Sequence, residues 1–493
     1  MRDYVIAIDQ GTTSTRALLL ELQGRVLGRS TREVECLFPH PGWVECDAER
    51  IWVSVIDCIN ELLVVNMISM DQVAGIGITN QRETTVVFEK GSGKPVYHAI
   101  VWQSKQTQSL CDEREGESAW IQKKTGLRMN PYFSASKIRF ILDAIPNGQK
   151  RAEAGELLFG TIDTYLIYMM TKGKSHLTDA SNASRTLLFD IFEGRFDESL
   201  CRVWDIPMGM LPEVRDNADD YGEASFFQGG VHILGVAGDQ QAALFGQCCY
   251  EVGSSKNTYG TGCFMLMNIG DKPFISEKGL LTTVAWRLGG HYTYALEGSV
   301  FIGGAIVQWI RDQTKWISSS EESEEYANRV NDTAGVYFVP AFVGLGTPWW
   351  DDGARGAIFG LTRGADRHHI TRAALFSIAY QSRDVIQAMK EEAHLDLPVL
   401  KVDGGASANA LLMQFQSDLL QTEVALPECL ETTAIGAGYL ALLKLGAFSG
   451  LKDIEKGKSY SKVYRPKMDR QEADRLYRGW LKAVRATMAY KAE

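Results

Sequence analysis

Short apolar runs, each closed by small or hydroxylated residues, open the chain. Val5-Ile6-Ala7-Ile8 is rich in strand formers, Gly11-Thr12-Thr13-Ser14 carries turn chemistry, and Ala17-Leu18-Leu19-Leu20 resumes the apolar pattern. Gln23-Gly24 then turns the chain into Val26-Leu27, so the pattern predicts a strand meander. An amphipathic stretch over 51–65 predicts a helix, and the apolar run 73–78 predicts the next strand. Two more strand-like runs, 84–88 and 99–102, flank the turn Gly91-Ser92-Gly93, and the alternation of helix and strand continues to about Leu244.

The pattern then starts again. Asn257-Thr258-Tyr259-Gly260-Thr261-Gly262 is a second small-residue turn followed by the apolar run 263–267. Helical periodicity covers 303–317, 369–392, 409–420 and 433–443, and the strand Val399-Leu400-Lys401-Val402 runs into Asp403-Gly404-Gly405. Each half therefore begins with strands around a Thr/Gly turn and later alternates strands with helices. A duplicated α/β domain with a cleft between the copies is the architecture this predicts. The boundary is placed within 245–256, giving an N-terminal domain over 1–250 and a C-terminal domain over 251–493.

Length and composition agree with two large domains. The 493 residues exceed what one compact core organises, and 45% hydrophobic and 23% charged residues are ordinary globular values. No apolar stretch reaches membrane-spanning length, and Met1-Arg2-Asp3 does not begin a secretory signal. Nine cysteines without a C-x-x-C spacing point to reduced thiols, neither disulfides nor a zinc site, and a cytoplasmic setting. A formal net charge of −10 argues against general nucleic-acid binding. It also requires that any phosphate be held by local groups: backbone N–H, a few cations and a metal.

Four short motifs suit that requirement. In Asp9-Gln10-Gly11-Thr12-Thr13-Ser14-Thr15-Arg16, a turn rich in Gly and hydroxyls can present donors to a phosphate. Asp9 ends a buried strand where it could hold Mg²⁺ through water, and Arg16 could neutralise phosphate charge. A plain β-hairpin whose hydroxyls satisfy the turn reads equally well. Gly238-Asp239-Gln240-Gln241 follows the apolar run 233–237 and places a carboxylate where it could take a hydroxyl proton. Taken alone, Asp239 is better read as the cap of the following helix. Gly260-Thr261-Gly262 and Asp403-Gly404-Gly405-Ala406-Ser407-Ala408-Asn409 complete the set, each with an ordinary turn reading. Neither a Walker A loop nor a G-x-G-x-x-G fingerprint is present. A fifth cluster suits a polyol: Arg82 and Glu83 offer a donor and an acceptor for vicinal hydroxyls, and Trp102 a flat wall for C–H groups. An exposed ion pair and a core Trp is the commoner arrangement for such residues.

The four motifs in this order resemble the phosphate and adenosine motifs of the actin/hexokinase/Hsp70 superfamily, and more closely the FGGY carbohydrate kinases. Within that family the chain is most similar to the branch acting on glycerol. The likeness spans nearly the whole chain and includes Pro41-Gly42-Trp43-Val44-Glu45, Gly77-Ile78-Thr79-Asn80-Gln81-Arg82-Glu83-Thr84, Asn182-Ala183-Ser184-Arg185-Thr186 and Ala237-Gly238-Asp239-Gln240-Gln241. It implies two ribonuclease H-like, actin-like ATPase domains around a central cleft, with ATP and Mg²⁺ as cofactors. It implies transfer of the γ-phosphate of ATP to glycerol, with erythritol, xylulose or ribulose as alternative acceptors, and a homodimer or homotetramer. Arg82, Glu83, Tyr132, Asp239 and Gln240 are then the glycerol contacts, with Trp102 and Phe264 against the carbons and Asp239 as general base. Thr12, Thr13, Ser14, Arg16 and Thr261 meet the phosphates, Gly304, Gln308, Gly405 and Asn409 shape the rest of the nucleotide pocket, and Asp9 with Asp239 holds the metal.

The chain departs from the family pattern at Ser104-Lys105-Gln106, at Thr347 and Trp349, and at Ala410. The segment Ser225-Phe226-Phe227-Gln228-Gly229-Gly230-Val231-His232 lacks the Gly/Arg pattern that binds fructose 1,6-bisphosphate in regulated bacterial members, which bears on regulation and not on catalysis. A filament-forming or chaperone ATPase is the reading from another class. It shares the nucleotide motifs but has no use for Asp239-Gln240 together with Arg82, Glu83 and Trp102.

Overall fold

The computed structural model describes residues 2–490. Its first sheet takes Tyr4–Gln10 (β1), Ser14–Glu21 (β2), Val26–Glu33 (β3), Val73–Asn80 (β4) and His232–Gly238 (β5) in the order β5-β4-β1-β2-β3. The three leading strands are antiparallel neighbours, β4 runs parallel to β1 and β5 parallel to β4. The second sheet takes Ser255–Tyr259 (β6), Cys263–Gly270 (β7), Leu281–Leu288 (β8), His291–Val300 (β9), Val399–Asp403 (β10), Glu423–Pro427 (β11) and Tyr460–Tyr464 (β12). Their order is β8-β9-β7-β6-β10-β11-β12.

Without the edge strands β8 and β12, the second sheet repeats the first strand for strand. An antiparallel β6-β7-β9 meander stands where β1-β2-β3 does, and β10 and β11 run parallel to β6 as β4 and β5 do to β1. The two halves are thus copies of one ribonuclease H-like, actin-like unit.

Strand periodicity of two decides what covers each face of the first sheet. Ile6 and Ile8 point to one side, into a core with Ile51, Val55, Ile59 and Leu62 of the helix Ala48–Val65 (α1). That helix starts where it does because the Asp47 side chain accepts from the backbone N–H of Glu49 and Arg50. Val5 and Ala7 point to the other side, onto a core shared by both halves, among them Leu234, Phe245, Ala434 and Leu440.

Asp239–Gly246 (α2) follows β5 directly, and Arg367–Ala393 (α3), Ala410–Leu420 (α4) and Thr432–Leu445 (α5) belong to the second half. Leu375 and Ile378 of α3 and Leu412 and Met413 of α4 pack with Met265 and Val300 of the second sheet. By contrast, α5 lies on the first sheet: Ala434, Ile435, Leu440 and Leu442 share a core with Val5, Ala7, Leu18 and Leu20. Helix α2 lies against α5 and against β6 and β7. The two helices cross so closely that a Cβ on Gly436 would stand 1.9 Å from the carbonyl oxygen of Ala242.

Some expectations are revised. The helix expected over 303–317 is a short α-helix, Ala305–Trp309, continued by one wider π-turn, Ile310–Thr314, and closed by Lys315 at φ 56°. The β8–β9 hairpin and the last helix, Arg470–Ala489, are not among the elements read from the pattern. All nine cysteines are free thiols, and no described helix is long and apolar enough to cross a membrane.

Candidate active site

Beyond β4 the chain leaves the sheet and places Arg82 and Glu83 in the interior. Glu83 sits at φ 61°, a left-handed conformation costly for a residue with a Cβ. Its carbonyl is held from several sides, accepting from Thr85 Oγ1 (3.0 Å), Ser134 Oγ (3.1 Å) and the buried ammonium of Lys137 (3.3 Å). Lys137 Nζ also donates to the carbonyl of Tyr132 at 2.5 Å, so one cation ties two candidate polyol contacts together. Burial brings the Lys137 pKa down to about 7 against the opposing pull of Glu83.

The side chains of Arg82 and Glu83 form part of a buried ion network, not an exposed pair. Arg82 grips Glu297 in bidentate fashion, Nη1 to Oε2 at 2.5 Å and Nη2 to Oε1 at 3.0 Å. Arg185 donates to Glu83 Oε1 at 2.6 Å and to Glu297 Oε1 at 3.0 Å. Burial alone would raise the pKa of Glu297, but Arg185 and Arg82 outweigh it and bring it down to about 2. Arg82 Nε stands 3.2 Å from Asp239 Oδ1, and Asp239 is where the network reaches open space, its side chain 27% exposed against 2% for Arg82. Asp239 is not the helix cap. Gly238 occupies that position, Asp239 is the first residue of α2, and its Oδ1 accepts from the Gln240 N–H at 2.7 Å.

Three aromatic rings form a wall that touches this network through Tyr132, whose ring centroid lies 5.7 Å from the Arg185 guanidinium. Trp102 meets Tyr132 edge-on with centroids 5.5 Å apart, and meets Phe264 of the second half at 6.2 Å. The indole N–H of Trp102 donates to Thr12 Oγ1 at 2.9 Å, joining the aromatic wall to the β1–β2 turn. That turn closes through Gly11 N–H to Ser14 O at 2.8 Å and leaves Thr13 exposed. Arg16, on β2, pairs with Glu431 at 3.2 Å. Asp9, at the end of β1, has its pKa pushed up to about 7, first by burial and then by Asp239 and Glu431, with Arg16 opposing.

The second half presents a matching set of turns. Gly260 and Thr261 are exposed at the tip between β6 and β7, and the N–H groups of Gly303 and Ala305 donate to Thr261 O at 2.8 and 3.1 Å. Gly304 caps the helix Ala305–Trp309, donates to Gly260 O at 2.8 Å and is followed one turn on by exposed Gln308. Gly404 takes φ 85° with a Cβ position only 2.6 Å from Tyr259 O, so glycine alone fits there, and it leads into exposed Gly405. Asn409 is engaged as the cap of α4, accepting from Leu412 N–H at 2.9 Å, and its amide nitrogen lies 3.4 Å from Ser323 Oγ.

Several of the residues singled out in the sequence thus stand together: Arg82 and Glu83 with Asp239; Trp102 with Tyr132, Phe264 and Thr12; Gly260 with Gly304. Arg16 and Asn409 spend their side chains on other protein groups, and Gln308 makes no side-chain bond among the described residues. Sequence reasoning assigned nothing to Arg185, Glu297, Lys137, Lys256 or Glu431. A signal existed for Glu297: a lone carboxylate inside the apolar strand Tyr294-Ala295-Leu296-Glu297 needs a buried cation partner.

Family models match both halves. The N-terminal domain of the FGGY family of carbohydrate kinases matches residues 4–246, and its C-terminal domain matches residues 255–445. Among solved structures, Plasmodium falciparum glycerol kinase with ADP superposes with a TM-score of 0.92 at 34% identity over 98% of each chain. Lactobacillus acidophilus xylulose kinase and gluconate kinase share the fold, each with a TM-score of 0.88 over 99% of both chains, at 20% and 19% identity.

Proposed function

The chain belongs to the FGGY family of carbohydrate kinases, ATP-dependent phosphotransferases acting on a sugar or polyol, and from that premise we propose that its acceptor is glycerol and its product glycerol 3-phosphate. The observation that carries this reading is the surroundings of Asp239. A half-exposed carboxylate stands at the lip of a buried ion network whose Arg185 lies over the Tyr132 ring; Tyr132 in turn meets Trp102, and Trp102 meets Phe264. Such rings suit the C–H side of a short polyol, and a carboxylate at hydrogen-bond reach suits its hydroxyls. Likeness to a glycerol kinase at 34% identity supports the same acceptor.

In this reading residues 1–250 carry the polyol side and residues 251–493 the nucleotide side. Asp239 takes the proton of the attacking hydroxyl as that oxygen bonds to the γ-phosphorus and the bond to the leaving ADP oxygen breaks. Arg82, fixed by Glu297, holds the carboxylate in place and cannot itself take the proton. Thr12, Thr13, Ser14 and Thr261 lie on the two exposed turns where backbone N–H and hydroxyl donors can meet phosphate oxygens. Domain closure over both ligands excludes water, the competing acceptor.

The residues present fit Mg²⁺. Asp9 is raised to about 7 by burial with Asp239 and Glu431 near it, so its ionised form is short of positive charge. Two carboxylates suit an ion that keeps water and phosphate oxygens in its shell. Asp9 and Asp239 would hold it, and bound there it would neutralise charge developing on the phosphates.

ADP release by the purified protein should be fastest with glycerol in a panel that includes dihydroxyacetone, erythritol, xylulose and ribulose. Turnover on a longer acceptor with none on glycerol would overturn the choice of acceptor and leave phosphoryl transfer intact.

A further inference from the structure

Lys256, on β6, is fully buried, and its three ammonium protons have three acceptors: Gln240 Oε1, Thr258 Oγ1 at 2.8 Å and the carbonyl of Phe264 at 3.3 Å. An ammonium only donates, so the amide oxygen of Gln240 must be the atom that faces it. The nitrogen then points the other way, and among the described residues Gln240 Nε2 has no protein partner. Gln240 is half-buried beside the half-exposed Asp239.

We propose that Lys256 is a positioning residue for the acceptor: it pins the Gln240 amide so that its N–H₂ faces the polyol as a donor, and it anchors the backbone of Phe264 at the aromatic wall. The inference rests on the reading that Gln240 and Phe264 meet the polyol. It divides labour between neighbours. Asp239, ionised, accepts only, and the pinned amide of Gln240 donates only. A hydroxyl between them receives a hydrogen bond on its oxygen and keeps its own proton for the carboxylate, the polarity that proton removal needs. Were the amide free to turn, its oxygen would compete with Asp239 for that proton. The cation is part of the half that carries the second sheet, whereas Gln240 is the second residue of the helix that follows the first. Polyol recognition in this arrangement requires the two halves to be in register.

A double-mutant cycle separates this inference from the reading beneath it. Gln240→Ala is expected to raise the KM and the dissociation constant for glycerol about tenfold, with a smaller change in kcat and none in the KM for ATP. Lys256→Met is expected to do the same, and the double variant to be no worse than the more impaired single one. If Gln240→Ala leaves glycerol affinity unchanged, the polyol role of Gln240 fails and the inference with it. If Gln240→Ala weakens glycerol but Lys256→Met does not, or if the two effects multiply in the double variant, the role of Gln240 stands and that of Lys256 is overturned. Should Lys256→Met not fold, Lys256→Gln offers an acceptor as well as donors and frees the amide to turn. The same rise in KM is expected there, and an unchanged KM overturns the proposal.

Discussion

Asp239 and Arg82 touch at 3.2 Å, yet substitution would read out different physics at the two positions. Arg82 is clamped between Glu297 and Asp239 and nearly devoid of exposure. Removing it strips buried Glu297 of its bidentate partner and leaves Arg185 as its remaining guanidinium, which costs up to about 3–5 kcal/mol of stability, so loss of activity in Arg82→Ala would not report on glycerol contact. Asp239→Asn keeps size and much of the hydrogen bonding and removes the proton acceptor. We expect kcat to fall by about 10²–10⁴, with glycerol binding changed far less; steady-state kinetics and equilibrium dialysis with labelled glycerol distinguish the two. A kcat within severalfold of the parent would show that Asp239 is not the base. Asp239 and Trp102 could be picked out in the chain because they lie in runs with a recognisable likeness, and Tyr132 because the family resemblance implies it. Glu297, 215 residues from Arg82, and the hydroxyl of Thr12, 90 residues from the indole that meets it, share no local pattern with their partners.

At the scale of elements, the strands were the legible part. Alternating or continuous apolar runs between Gly and hydroxyl turns locate β1, β2 and β7 because pleat and turn chemistry are local, whereas the polar residues of β6 read as part of the turn that follows it. The order of strands within each sheet and the exchange of α5 onto the first sheet are set by burial between distant segments. Nothing within α5 itself says which sheet it will cover. The crossing of α2 and α5 depends on Gly436 having no side chain. Gly436→Ala would gain about 1 kcal/mol of helix propensity but drive a methyl group to 1.9 Å from Ala242 O, so the helices must part. A net loss of roughly 1–3 kcal/mol is expected, measured as a lower urea midpoint; a midpoint equal to or above the parent's would mean the crossing is looser than described.

Across the whole molecule, buried carboxylates of opposite tendency shape the response to pH. Asp9 and Asp163 are held up to about 7, Asp163 by burial and then by Asp179. Their raised values favour the folded state once they are protonated, so ligand-free stability should grow as pH falls from above 7 towards 4. Glu297, brought down to about 2, acts in the opposite sense. Its contribution is full above its ordinary value of 4.5 and is lost as pH falls from there towards 2, on the order of 3 kcal/mol. Urea midpoints between pH 3 and 8 should therefore trace a hump with an acid limb, and a curve rising steadily to pH 8 would contradict these assignments. The covering of the first sheet by α5 has a consequence for the making of the protein. One face of β1 waits for a helix that is synthesised several hundred residues later. At ~5–20 residues per second the roughly 420 residues between Gln10 and Thr432 take on the order of 20–80 s to synthesise. Nascent chains halted before Thr432 should remain open to protease within β1 and β2, and chains released at full length should close. Throughout that interval Val5, Ala7, Leu18 and Leu20 are an apolar surface that a holding chaperone would have to shield.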